Sequence, residues 1–179
     1  MSFYYWRFKR SSSYLGTGSV VCHWNGSTDF SISGGLGYLL GDEGSGYYFG
    51  KLLIIKLLNS ELSKQLTSEL TTTLGGRDEL LSKVYGTTGK AFIGSIGTLT
   101  KDLTVGFKEL NEIHELNLQL FIDKYIVGNS ISNLSIVGSY GYYNQDILKK
   151  LLLNNNMMLN NYLQFPIQTL TDYIEKSTV

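Results

Sequence analysis

Gly34-Gly35-Leu36-Gly37-Tyr38-Leu39-Leu40-Gly41-Asp42-Glu43-Gly44-Ser45-Gly46 is the stretch on which the reading of this chain turns. Six glycines in thirteen residues are more than turn chemistry alone requires. Beyond Gly46 the hydrophobic period becomes that of a helix. Tyr48, Leu52, Ile55 and Leu58 recur at helical spacing, and Ser45 is placed to cap the first turn. Asp42 and Glu43 therefore stand just ahead of a helix start, where carboxylates favour the positive end of the helix dipole. The same two groups could accept hydrogen bonds from sugar hydroxyls, or help to hold Mg²⁺ through water. Both roles can hold together.

Upstream, Ser12 to Leu15 and Val20 to Trp24 are short, β-branched or aromatic runs bounded by Gly and Ser. Asn25-Gly26 suits a type I′ turn, so Asp29 to Ser33 is expected to return as a third antiparallel strand. Gly16-Thr17-Gly18-Ser19 falls at the tip between the first two strands. Glycines there let a backbone approach an anion closely, and Thr17 and Ser19 add hydroxyl donors. An ordinary tight turn has the same composition.

Downstream, helices are expected over Ser60 to Leu70, Asp78 to Tyr85, Lys90 to Lys101 and Thr104 to Val127. The last would carry Phe107, Leu110, His114, Leu118, Phe121 and Tyr125 on one face. Leu134 to Val137 reads as a buried strand that ends at Gly138 and Ser139 and leads into a helix. Such a junction offers free N–H groups and, with the tyrosines that follow, a flat aromatic surface for adenosine. A routine strand-to-helix connection looks similar. Asp146 to Leu153 continues a helix, Met158 to Phe165 is a last strand or extended segment, and Pro166 opens a terminal helix. Three antiparallel strands, helices, strand, helix, strand and helix is the order of one ribonuclease-H-like half of the actin-like ATPase and sugar-kinase fold, an α/β architecture, here with inserted helices.

The totals exclude several classes. Charged residues make up 17% of the 179, with 15 basic against 15 acidic, so the basic excess of a nucleic-acid surface is missing. The thirteen tyrosines then suit packing better than base stacking. The most apolar run, Lys51 to Leu58, is too short and too interrupted to span a membrane. Met1 to Arg10 has no apolar core of signal-peptide type. With one cysteine, Cys22, no internal disulfide can form, so a reducing, cytoplasmic setting is expected and the triplets Asn25-Gly26-Ser27 and Asn133-Leu134-Ser135 are read as chance matches. Cys22 is expected to be small and buried, His23 to be packed within or at the edge of a strand. His114 has no second ligand-type residue near it in sequence. Gly35, Gly37 and Gly41 are spaced one residue too long for a dinucleotide fingerprint, and no P-loop sequence occurs.

Taken together, Leu15 to Ser19, Leu36 to Gly46 and Val137 to Ser139 resemble the N-acetylglucosamine kinase and BadF-type ATPase family. Lys83-Val84-Tyr85 and Phe165 to Tyr173 fit the same resemblance, which covers about residues 13 to 176 and is carried most specifically by Leu40-Gly41-Asp42-Glu43-Gly44-Ser45-Gly46. It implies one C-terminal ATPase/sugar-kinase-like domain over 12–179, with 1–11 unassigned. It implies ATP and Mg²⁺ as cofactors and an amino sugar as acceptor. Gly16, Thr17, Gly18 and Ser19 would contact the β- and γ-phosphates. Gly138, Ser139 and Tyr142 would cradle adenosine. Gly35, Leu36, Gly37, Asp42 and Glu43 would line the sugar pocket.

The chain departs from the family in three places. Val20 and Val21 stand where Asn and Ser are frequent, Leu36 stands where some relatives carry a Trp, and Gly86 to Gly97 lacks a Pro-Asn-Arg feature. Nothing before Ser12 resembles the family's preceding half, with its first phosphate loop and its catalytic Asp. No catalytic residue is therefore assigned, and efficient turnover by the chain alone is not expected. The alternatives are a nucleotide- or sugar-binding remnant without turnover, or a module that pairs with itself or with a complementary half.

Overall fold

The computed structural model describes residues 10–24, 29–127, 131 and 133–177. The expected Asn25-Gly26 turn lies outside the described residues. Five strands, β1 (Arg10–Leu15), β2 (Ser19–Trp24), β3 (Phe30–Gly34), β4 (Asn133–Val137) and β5 (Met158–Leu163), form one sheet in the order β3-β2-β1-β4-β5. β1 runs antiparallel to β2 and parallel to β4, and β4 runs parallel to β5. The three antiparallel strands and the two parallel additions are the order expected of a ribonuclease-H-like half.

The helices are α1 (Gly37–Leu40), α2 (Gly46–Leu58), α3 (Lys64–Leu74), α4 (Arg77–Tyr85), α5 (Gly89–Leu99), α6 (Lys108–Phe121), α7 (Ser139–Tyr143), α8 (Gln145–Asn154) and α9 (Pro166–Ser177). α7 packs on β1, β4 and β5, while α2 is held between α5 and α6. Leu15, Val21, Leu134 and Ile136 of the sheet join Phe49, Leu53, Leu118 and Phe121 in one buried cluster. Removing that apolar area from water is the main force that holds the layers together.

Four expectations need correction. In α2 the buried side chains are Tyr47, Phe49, Leu53, Ile54 and Leu57, whereas Ile55 is exposed and Tyr48, Leu52 and Leu58 are only partly covered. The helix is apolar nearly all round, so periodicity alone has little contrast from which to choose a face. The helix expected from Ser60 begins at Lys64, because Ser63 caps it by accepting from Leu66 N at 3.3 Å. Ser63 is itself fixed by Glu109, which accepts from its N and Oγ at 2.8 and 2.7 Å. The helix expected over Thr104 to Val127 is three pieces: a 3₁₀ turn (Lys101–Val105), α6, and a π turn (Ile122–Ile126). Phe107 interrupts the first junction with extended backbone. Cys22 is partly rather than fully buried.

His23 is a packed strand residue, as expected. It bridges Ser11 Oγ at 2.9 Å and Ser33 Oγ at 3.1 Å across three strands, and burial lowers its pKa. Among the described residues no helix is long and apolar enough to cross a membrane.

Candidate functional site

The turn between β1 and β2 is where the three glycine-rich stretches meet. The first N–H groups of a helix have no partner inside it. In α2 they go to this turn: Gly46 N donates to Gly16 O at 2.8 Å and Tyr47 N to Thr17 O at 3.3 Å. Ser45 Oγ accepts from Tyr48 N at 3.1 Å and completes the cap. From the other side, the junction of β4 and α7 presses on Leu15. Gly138 adopts φ 114°, and a Cβ there would stand 2.6 Å from Leu15 O, so only glycine permits the approach.

The acidic pair divides. Asp42 is buried, with φ 68°, and its Oδ1 accepts from Ser19 N at 3.1 Å. Its carboxylate lies against Gly18, where an added Cβ would be 3.2 Å from both oxygens. Glu43 instead ties the stretch to the π turn, accepting from Lys124 Nζ at 2.6 Å and Tyr125 Oη at 2.7 Å. Burial pushes the Glu43 pKa up, but the hydrogen bonds from Lys124 and Tyr125 outweigh it and the net shift is down. Gly35 N donates to Ser19 O at 3.2 Å, and Leu36 is exposed beside it.

A cleft of about 450 Å³ opens beside the turn. Gly16 and Thr17 of the first stretch, Gly46 at the end of the second, and Ser139 and Tyr140 of the third line it. Gly94, Gly97 and Thr98 of α5, Lys101 and Thr104 of the 3₁₀ turn, His114 of α6, and Tyr143 and Asn144 complete the wall. Among these residues Lys101 is the only fixed charge and none is a carboxylate. Gly94 lets α5 close on the turn: a Cβ there would stand 2.9 Å from Thr17 Cγ2.

Three of the sequence-derived site residues are placed differently from expectation. Tyr142 does not line the cleft; its ring packs on Tyr143 and on Tyr162 of β5, while Tyr140 and Tyr143 face the cleft. Ser19 Oγ is buried without a partner among the described residues, so this hydroxyl is not presented to a ligand. Glu43 is already engaged by Lys124 and Tyr125. Gly18, Gly138, Gly35, Leu36, Gly37 and Asp42, also expected at the site, do not line the cleft either. Lys101, Thr98, Asn144 and His114 were not expected here. No local pattern marks them, because they gather only when α5, α6 and α7 pack.

The sequence matches no protein-family model and no curated protein. Among solved structures it is similar to a provisionally assigned N-acetylglucosamine kinase from Porphyromonas gingivalis, with a TM-score of 0.85 at 22% identity over 97% of this chain. A second provisionally assigned N-acetylglucosamine kinase, from Chromobacterium violaceum, gives 0.61 at 19% identity over 85%. The chain spans 62% of the first of these proteins and 55% of the second. At such identities the likeness shows the fold. The chain is an α/β protein with the fold of the actin-like ATPases and sugar kinases.

Proposed function

We propose that this chain forms the nucleotide-binding wall of an ATP-dependent kinase whose acceptor is N-acetylglucosamine or a related amino sugar. The observation that carries the reading is the meeting of three glycine-rich segments at Gly16 and Thr17, beside a cleft whose only fixed charge among the described residues is the Lys101 cation. The two kinase-like neighbours, which share the fold, support the same class. The residues present fit a nucleotide. Bare glycine backbone at Gly16, Gly46, Gly94 and Gly97 leaves room for phosphate and sugar, and hydroxyls of Thr17, Thr98 and Ser139 stand at the rim.

In this reading Gly16 and Thr17 contact the β- and γ-phosphates while Lys101 neutralises part of their charge. Ser139, on the backbone that Gly138 allows, holds the nucleoside with Tyr143 beside it. Asp42 fixes the Gly18–Ser19 backbone and offers its remaining oxygen to a sugar hydroxyl near Gly35 to Gly37. Bound ATP, with Mg²⁺ on its phosphates, would supply the transferable phosphoryl group. Among the described residues no cluster of His, Cys, Asp and Glu could hold a metal alone, so the ion would arrive with the nucleotide. The carboxylate nearest the sugar in this reading, Asp42, is held by Ser19 N, so the base that takes the sugar proton is assigned to a facing half of the cleft.

Calorimetric titration with MgADP and N-acetylglucosamine, beside coupled-enzyme detection of ADP release, tests the proposal. MgADP binding without turnover by the chain alone, and turnover once a complementary half is added, is the expected result. Absence of nucleotide binding would refute it.

A further inference from the structure

His114 is the deepest polar side chain of the cleft wall, 7% exposed, and one of its two ring nitrogens is already assigned by the fold. The assignment starts at the backbone. Gly44 N donates to Asn117 at 2.7 Å, which fixes that end of the amide as oxygen. Asn117 Nδ2 therefore donates both its hydrogens, one to Ser45 O and one to Tyr140 Oη, each at 2.9 Å. Tyr140 is buried, and its hydroxyl hydrogen has one acceptor within reach among the described residues, His114 Nδ1 at 2.9 Å. A buried O–H left without an acceptor costs free energy, so Tyr140 donates and Nδ1 accepts.

Burial pulls the His114 pKa down to about 4, so the ring is neutral and its single hydrogen sits on Nε2. The ring cannot turn to hide that hydrogen. Phe49 stacks flat on it, with centroids 3.8 Å apart and planes 2° from parallel. Nε2 has no protein partner among the described residues, and the residue belongs to the wall of the cleft that Gly16, Gly46 and Ser139 also line. The polar side chain bonded to the ring, Tyr140, is neutral, and burial alone accounts for the lowered pKa.

We propose that His114 is a ligand-binding residue whose Nε2–H, oriented through Tyr140 and Asn117, donates a hydrogen bond to a phosphate oxygen of the nucleotide in this cleft. The inference rests on the nucleotide reading given above. Phosphate is favoured over the nucleoside because Tyr140, which holds His114, packs at Gly46, where a Cβ would stand 3.5 Å from Tyr140 Cδ2 and from Gly16 O, and because an anionic oxygen is the stronger acceptor for a buried neutral donor.

Two measurements on the full chain test it. Long-range ¹H–¹⁵N NMR of the histidine rings reads the tautomer directly; Nε2 is expected to be protonated, and its proton signal to move downfield on addition of MgADP. Calorimetry of His114→Phe, which keeps the stack on Phe49, is expected to show affinity for MgADP reduced about tenfold while adenosine affinity is unchanged. A proton on Nδ1, an Nε2–H signal indifferent to MgADP, or equal losses for MgADP and adenosine would each overturn the inference and leave the cleft reading intact. Failure of the wild-type chain to bind MgADP would overturn the cleft reading, and this inference with it. If His114→Phe does not fold, the wild-type NMR result decides alone.

Discussion

Gly46 donates its N–H to the carbonyl oxygen of Gly16 over 2.8 Å, and this bond fixes the start of α2 to the turn between β1 and β2. It has an electrostatic consequence. A turn carbonyl facing a ligand would repel phosphate, but the carbonyls of Gly16 and Thr17 are both occupied by N–H groups of α2. What the turn leaves for an anion is its glycine surface and the Thr17 side chain.

The approach of α5 to that turn depends on Gly94. Valine at this position would force Thr17 aside and fill the cleft, while losing a mid-helix glycine offsets part of the strain. Gly94→Val is expected to weaken MgADP binding at least about tenfold, roughly 1.4 kcal/mol. Its melting temperature should stay within a few degrees of wild type, which calorimetric titration and a thermal melt check together.

Lys101 is the charge that complements phosphate in this account. Lys101→Met should reduce affinity for MgADP by about tenfold, steepen no salt dependence, and leave adenosine binding nearly unchanged. Titrations of both ligands at two ionic strengths separate this from a general loss of shape.

How much of this was legible beforehand depended on whether a signal was local. The β1–β2–β3 order and the Ser45 cap followed from residues close in sequence, because turn and cap chemistry is local, whereas the association of the three glycine stretches was implied only by the family resemblance. The buried face of α2 was not legible. Tyr48, Leu52, Ile55 and Leu58 form as regular a stripe as Phe49, Leu53 and Leu57, and the packing of α5 and α6 decides between them. His114 offered nothing in sequence because its partner, Tyr140, lies 26 positions later. Glu43 looked available beside Asp42, yet Lys124 and Tyr125 reach it from the π turn that follows α6.

Gly50 shows the same limit in energetic form. Glycine inside a helix is unfavourable by about 1 kcal/mol relative to alanine. Here a Cβ would stand 2.1 Å from Ile93 O on the α5 backbone, which cannot yield as a side chain can. Gly50→Ala is therefore expected to destabilise by about 1–3 kcal/mol despite its better propensity. Urea unfolding at equilibrium checks it; a stabilised variant would show that α2 and α5 do not pack this closely.

Glu43 sets a pH dependence. Its pKa is lower in the folded chain than its ordinary value of 4.5, so the unfolded chain binds more protons near that pH. The stabilisation from its bonds to Lys124 and Tyr125 is complete above 4.5 and is lost as pH falls through the lower folded value. Glu43→Gln should cost about 1 kcal/mol at neutral pH, and the difference from wild type should shrink as pH falls through the lowered folded value. Urea midpoints measured from pH 3 to 7 give the curve.

Backbone amide NMR of the wild-type chain titrated with MgADP tests the central claim most directly. The account predicts saturable shifts concentrated at Gly16, Thr17, Gly46, Gly94, Gly97, Lys101 and Ser139. Shifts confined to another surface, or none at millimolar MgADP, would contradict it.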